Sequence, residues 1–190
     1  ILGNLSAGVL EAAKLDASGR RVSWTVVRPD RPERSALTSA FDRCEGAFHS
    51  GGFLYFTTTG DDRVWALRTG TDDIEVIYDA AALGSDAPLR DPDCITAHRT
   101  SGDIFVGEDS DDLQLVLLAN GHHQRIAAPF LQLIGHGGGE DGSPGQDGNV
   151  VPSSSWKPVS EITGLAFSPD GTRLYVTSQR GTDGLRGMTF

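Results

Sequence analysis

From Phe41 onward, short runs of apolar and β-branched residues alternate with clusters of Gly, Asp, Asn and Ser. FLYFTTT (53–59), DIFVGED (103–109), LQLVLLA (113–119) and RLYVTSQ (173–179) have the length and composition of β-strands. RVWALRTG (63–70) and DIEVIYDA (73–80) fit two more. The breaks at His49-Ser50-Gly51-Gly52, Ala119-Asn120-Gly121 and Ser168-Pro169-Asp170-Gly171 supply residues that tolerate turn dihedrals. Before Phe41 the pattern is weaker. GVLEAAKLDASGRRVSWTVV (8–27) predicts a short helix or strand, a turn at Ser18-Gly19 and a strand around Val22 to Val27, followed by the charged loop RPDRPERS (28–35). GHGGGEDGSPGQDGN (135–149) has nothing with which to fill a core and predicts an exposed insert, taken as 135–155. The chain therefore divides into an amino-terminal segment and loop, 1–37, and a β-rich region, 38–190.

Three segments of that region can be laid over one another: CEGAFHSGGFLYFTTT (44–59), DCITAHRTSGDIFVGED (93–109) and SEITGLAFSPDGTRLYVTSQ (160–179). Each carries an acidic residue, a small-apolar strand, a Gly-containing turn and a strand centred on an aromatic. Glu45, Asp93 and Glu161 precede Tyr55, Phe105 and Tyr175 by 10, 12 and 14 residues, the difference being turn length. A repeat every ~50 to 70 residues is the scale of one four-stranded propeller blade. The expected fold is all-β, a partial β-propeller with about three blades. Since propellers usually close with four to eight blades, the remaining blades would come from another chain or a further segment.

In a propeller the first strand of each blade lines the central channel. Glu45, Asp93 and Glu161 would then converge on one mouth from different blades. Carboxylates in close quarters raise one another's pKa unless a cation neutralises them, and hard cations such as calcium take oxygen ligands from separated chain positions. Glu108 and Asp109 follow the inner strands of the second repeat and could reach the same mouth. Arg43 lies on the same side as Glu45 by strand alternation. It is either a clamp for phosphate or carboxylate beside a cation, or a surface ion pair.

Composition narrows the field. The 190 residues carry 16 Lys plus Arg against 26 Asp plus Glu, a formal net charge of -10. An acidic surface repels phosphate backbones and argues against general nucleic-acid binding. Glycine, at 24 residues, suits a turn-rich β protein. No apolar run reaches the length of a membrane span, and no signal peptide or initiator Met is visible at the start. Two cysteines, Cys44 and Cys94, are too few for a disulfide framework. His122-His123 reads as part of a hairpin turn, and His49 and His98 as polar residues at the strand end away from the mouth. There is no phosphate-cradling loop, dinucleotide fingerprint or nucleophile elbow.

FDRCEGAFHSGGFLYFTTTGDDRVWAL, DPDCITAHRTSGDIFVGED and SEITGLAFSPDGTRLYVTSQRG together resemble the PhoX-like alkaline phosphatases and their relatives. They match that family's Arg-x-Glu-Gly element, its Pro-Asp segment with a following Glu-Asp pair, and its Glu-x-x-Gly-x-x-Phe-Ser-Pro-Asp-Gly element. The resemblance covers about residues 38 to 190. It implies a β-propeller with a calcium and iron cluster at the channel mouth, phosphomonoester hydrolysis, and export to the periplasm or outside the cell. Carried over, Glu45 and Glu108 are expected as metal ligands, Glu161 as a ligand or cluster-supporting carboxylate, and Arg43 as a phosphate-contacting or cluster-bracing residue. Asp93 joins the set through its phase in the repeat. The chain departs from the family at Cys94, where an Asn is usual, because a thiol does not offer an amide oxygen.

Three functions follow as expectations. One is a metal-dependent phosphomonoesterase, or part of one, acting on a phosphomonoester substrate. Another is a calcium-dependent lactonase-type propeller hydrolase. The third is a non-catalytic propeller used for binding or assembly.

Overall fold

The computed structural model describes residues 8–27, 38–109, 114–119, 126–132, 161–179 and 187–189. The first strands are β1 (Glu11–Leu15) and β2 (Val22–Val26), which form a two-stranded antiparallel hairpin. β3 (Cys44–Ser50), β4 (Phe53–Thr58), β5 (Arg63–Arg68) and β6 (Asp73–Asp79) make a four-stranded meander. β7 (Pro92–Ala97), β8 (Ile104–Glu108), β9 (Gln114–Ala119) and β10 (Ile126–Gln132) make a second. β11 (Ile162–Phe167), β12 (Leu174–Ser178) and β13 (Met188–Thr189) make a three-stranded sheet. The single turn α1 (Ala80–Leu83) is capped by the Asp79 carboxylate, which accepts from the N–H groups of Ala81 and Ala82. The protein is all-β, in four small antiparallel sheets. Among the described residues the sheets do not close into a ring.

Side-chain alternation explains how the sheets pack. In β5, Val64 and Ala66 face the second sheet, while Trp65 and Leu67 face the hairpin. The second sheet is covered on both faces. Ile104, Val106, Val116 and Leu118 meet Tyr55 and Val64 of the first sheet. Phe105 and Leu115 meet Ile162, Leu165 and Val176 of the third. That double burial is why β8 and β9 read as continuous apolar runs rather than as an alternation. The β1–β2 hairpin packs on the first four-stranded sheet. Val22 N–H donates to Asp72 O at 2.8 Å, and Trp24 Nε1–H donates to the Asp72 carboxylate at 2.9 Å. Phe41 closes this layer edge-on, 5.3 Å from Phe56 and 5.4 Å from Trp65 between ring centroids.

The repeat read from the sequence is also a repeat of register. Tyr55 pairs with Phe48, Phe105 with Thr96, and Tyr175 with Ala166. Three residues later, Thr58, Glu108 and Ser178 each end the second strand of their sheet as a buried polar residue. Tyr55 and Phe105 are covered by the following sheet, whereas Tyr175 is exposed. The first strands of successive sheets lie side by side, β7 against both β3 and β11. This approach requires glycine at two points. A Cβ on Gly46 would lie 2.3 Å from Asp93 O, and one on Gly107 would lie 2.5 Å from Ile162 Cγ2.

The Gly46 contact is with backbone that cannot swing aside. Gly46→Ala is therefore expected to lower the unfolding free energy by about 1–3 kcal/mol or more. Urea denaturation checks this, and an unchanged midpoint would contradict the close approach of β3 to β7.

Candidate acidic site at the joint of three sheets

The site is built on two β-bulges. In β3 the pairing passes from Cys44–Thr58 to Ala47–Phe56, so Glu45 and Gly46 together oppose Thr57. In β7 it passes from Pro92–Glu108 to Ile95–Val106, so Asp93 and Cys94 together oppose Gly107. The two bulges fall at the same step of the repeat, on the acidic residue each time. A bulge re-aims the side chain it carries and leaves backbone groups without their ladder partners. Those groups are satisfied between sheets. The Thr57 hydroxyl is fully buried, accepts from Gly46 N–H at 2.9 Å and donates to Asp93 O at 2.6 Å. Thr59 donates to Pro92 O at 2.7 Å, and the Cys94 thiol donates to Ile162 O at 3.0 Å.

The backbone contacts bring three of the sequence-predicted carboxylates together. The Asp93 carboxyl is pushed up to about 6, first by burial, then by the charges of Glu161, Glu45 and Asp109, and by a hydrogen bond with Glu161. Glu45 and Asp93 come from the same step of β3 and β7, three residues before the partner of the second-strand aromatic, whereas Glu161 lies five residues before its counterpart Ala166, so turn length does not account for its spacing. Arg43 sits beside them in a left-handed conformation, φ 52°. Its Nη2 lies 3.7 Å from Glu45 Oε1 and 3.6 Å from Asp109 Oδ2, joining the first sheet to the second. Both separations exceed hydrogen-bond length, and the Arg43 side chain is 54% exposed. Exposed pairs of this kind contribute about 0–1 kcal/mol, so their effect is on local charge more than on stability.

Glu108 stands elsewhere. It is 2% exposed, and its oxygens accept from Arg90 N–H at 2.8 Å and Gln114 N–H at 3.3 Å. Its side chain belongs to the buried polar position shared with Thr58 and Ser178. Alternation sends the next residue, Asp109, to the Arg43 side instead. The Glu-Asp pair in the sequence contains both roles, and only the strand's pleat separates them.

Sequence reasoning missed Asp62 and Asp91. Both have positive φ, 54° and 41°. Asp91 N–H donates to Asp62 Oδ1 at 2.7 Å, and Arg90 Nη1 lies 3.5 Å from Asp62 Oδ2. Burial raises the Asp91 carboxyl, with Asp62 and Asp109 adding to it and Arg43 and Arg90 opposing. The available signals were the Asp61-Asp62 pair and the first Asp of Asp-Pro-Asp (91–93).

The remaining candidates lie outside the cluster. The Cys94 thiol is pushed up to about 12 by burial and by Asp93, so it stays protonated and acts as a donor. The Cys44 thiol is raised by burial, Asp61 and Glu45, and neither cysteine forms a disulfide. His49 is exposed. His98, at the far end of β7, stacks edge-on against Phe167 at 5.0 Å and pairs with Ser101 Oγ at 2.9 Å. His122, His123 and the insert 135–155 lie outside the described residues.

Carboxylate oxygens are hard donors, the type that calcium takes. Among the described residues, however, no three His, Cys, Asp or Glu side chains are spaced to hold a metal ion. Also among them, no helix is long and apolar enough to cross a membrane. Comparison with protein-family models and with curated proteins finds no match.

The raised Asp93 carboxyl has a direct consequence for stability. The folded chain holds this proton more tightly than the unfolded chain, in which Asp keeps its ordinary value near 3.8. The stabilisation from this proton is complete below that value and is lost as pH rises through about 6. Asp93→Asn is expected to remove that decline, so the variant gains on the parent between about pH 4 and about pH 6. Urea unfolding across that range reads the difference. Parallel curves for parent and variant would show that Asp93 is not perturbed by its neighbours.

Proposed function

We propose that the three multi-stranded sheets are successive blades of a β-propeller. We further propose that the end carrying Glu45, Asp93 and Glu161 binds calcium in a PhoX-like, metal-dependent phosphomonoester hydrolase. The observation that carries this reading is the gathering of Glu45 and Glu161 about the Asp93 carboxyl, where three sheets meet, with Arg43 at the edge. Meanders of consecutive strands with side-by-side first strands support the blade reading. The exposed Tyr175, at the register where Tyr55 and Phe105 are covered, fits a further blade on that face.

In this reading Asp109 takes the place first expected of Glu108, whose oxygens accept backbone N–H groups. Calcium takes about six to eight oxygen ligands, so these carboxylates would supply only part of its shell. Iron in the same cluster, and export from the cytoplasm, follow from the resemblance alone.

Bound cations would supply polarisation of a phosphoryl oxygen and acidification of a water. The chain's own residues do the rest. Arg43 presents a planar fork of donors whose contacts with Glu45 and Asp109 are too long to be hydrogen bonds, leaving it able to orient a phosphate. Burial and the charges of Glu161, Glu45 and Asp109 raise the Asp93 carboxyl to about 6, and a bound cation would offset that repulsion.

A second reading is a non-catalytic propeller that binds or assembles. It is favoured by the lack, among the described residues, of three metal-holding side chains at one point. Hydrolysis of p-nitrophenyl phosphate by the protein loaded with calcium and iron separates the two. The phosphatase reading expects turnover that a chelator abolishes and that Arg43→Ala lowers by about 100-fold. Calcium binding without phosphatase turnover favours the second reading, while turnover of a lactone with calcium alone would move the protein to the lactonase type. Absence of calcium binding would overturn the metal site itself.

A further inference from the structure

We propose that Thr57 and Cys94 are positioning residues of the acidic site: each hydrogen-bonds across a joint between sheets and so sets the spacing of the carboxylates on either side. Thr57 pins Glu45 to Asp93, and Cys94 pins Asp93 to Glu161. The inference rests on the cation-binding reading above and assigns neither residue a contact with cation or substrate.

Each joint is spanned by a side-chain hydrogen bond, from the strand opposite the bulge at the first and from the bulge itself at the second. At the first, the Thr57 hydroxyl takes the Gly46 N–H and gives its own proton to Asp93 O. Gly46 follows Glu45 directly, and Asp93 O belongs to the second carboxylate residue itself. One buried hydroxyl therefore ties the backbone of both bulges. The missing side chain of Gly46 allows the strands close enough for a single atom to span them. At the second joint the Cys94 thiol gives its proton to Ile162 O. Cys94 follows Asp93, and Ile162 follows Glu161. The Cys94 sulfur occupies the space beside Gly107, where an added Cβ would come within 2.8 Å of it. In the sequence Cys94 stands as an unexplained replacement for an Asn. In the fold its side chain turns from the mouth toward the third sheet, among Phe105, Ile162 and Leu165.

Groups that orient ligands without touching the metal typically change affinity by roughly 10–100-fold when removed. The test uses the full chain and calcium chloride alone. Calorimetric titration is run on the parent, Thr57→Val, Thr57→Ser, Cys94→Ala and Cys94→Ser, with circular dichroism confirming that each is folded. The expected result is calcium affinity roughly 10–100-fold weaker for Thr57→Val and Cys94→Ala, with most of the loss recovered by the two serine variants, which keep a donor. Folded Thr57→Val and Cys94→Ala that bind calcium as tightly as the parent overturn the proposal. If Thr57→Val fails to fold, the Cys94 pair decides.

A second readout does not depend on calcium. Side-chain carboxyl carbon shifts, measured without metal, should move at Glu45 and Asp93 in Thr57→Val and at Asp93 and Glu161 in Cys94→Ala. Unmoved shifts in folded variants overturn the proposal whether or not calcium binds. A parent protein that does not bind calcium, with shifts that move as expected, overturns the cation reading and leaves the two residues as pins of the joint.

Discussion

The structure depends on one close contact: the first strands of neighbouring sheets run side by side, nearly backbone to backbone. Strands of separate sheets share no ladder, so the polar groups where they touch need partners from elsewhere. An unpaired buried amide or carbonyl costs about 1–3 kcal/mol. Gly46 removes the side chain that would hold β3 and β7 apart, and Thr57 supplies the donor and the acceptor that the bulges leave wanting. Cys94 repeats the solution between β7 and β11 with a weaker donor. The apolar layers then fall into place on either side, since alternation in β5, β8 and β9 already gives each strand two different faces.

The same contact creates the chemistry. The bulges of β3 and β7 fall on acidic residues, so bringing those backbones together brings Glu45 and Asp93 together as well. Burial and three negative neighbours hold a proton on Asp93 well above the usual carboxylate range. Arg43, with two carboxylates at the edge of hydrogen-bonding reach, offsets only part of that charge. Asp62 and Asp91, at positive φ next to the site, extend the acidic ground toward Arg90.

Much of this was legible in the chain. Strand positions followed from short β-branched runs and turn residues, and Glu45 and Asp93 share a register step that Glu161 does not. Glu108 was not legible in the same way. A Glu-Asp pair at a strand end looks like two carboxylates aimed at one place, yet the pleat sends one inward to backbone donors and the other to Arg43. Thr57 gave no signal, because a threonine in a Thr-Thr-Thr run looks like any β-branched strand residue. Cys94 looked like a defect in a ligand motif, since the sequence does not show which way a side chain turns at a bulge.

The sequence by itself determined the elements, their all-β character and the repeat, because these rest on local periodicity, turn residues and phase. Tertiary structure alone decided which carboxylates meet, which one is spent on backbone N–H groups, and which hydroxyl and thiol span the joints. Those outcomes turn on two bulges and two glycines. A bulge shifts side-chain direction by one residue, and a missing Cβ changes a separation by little more than an ångström. Neither is visible until the neighbouring sheet is in place.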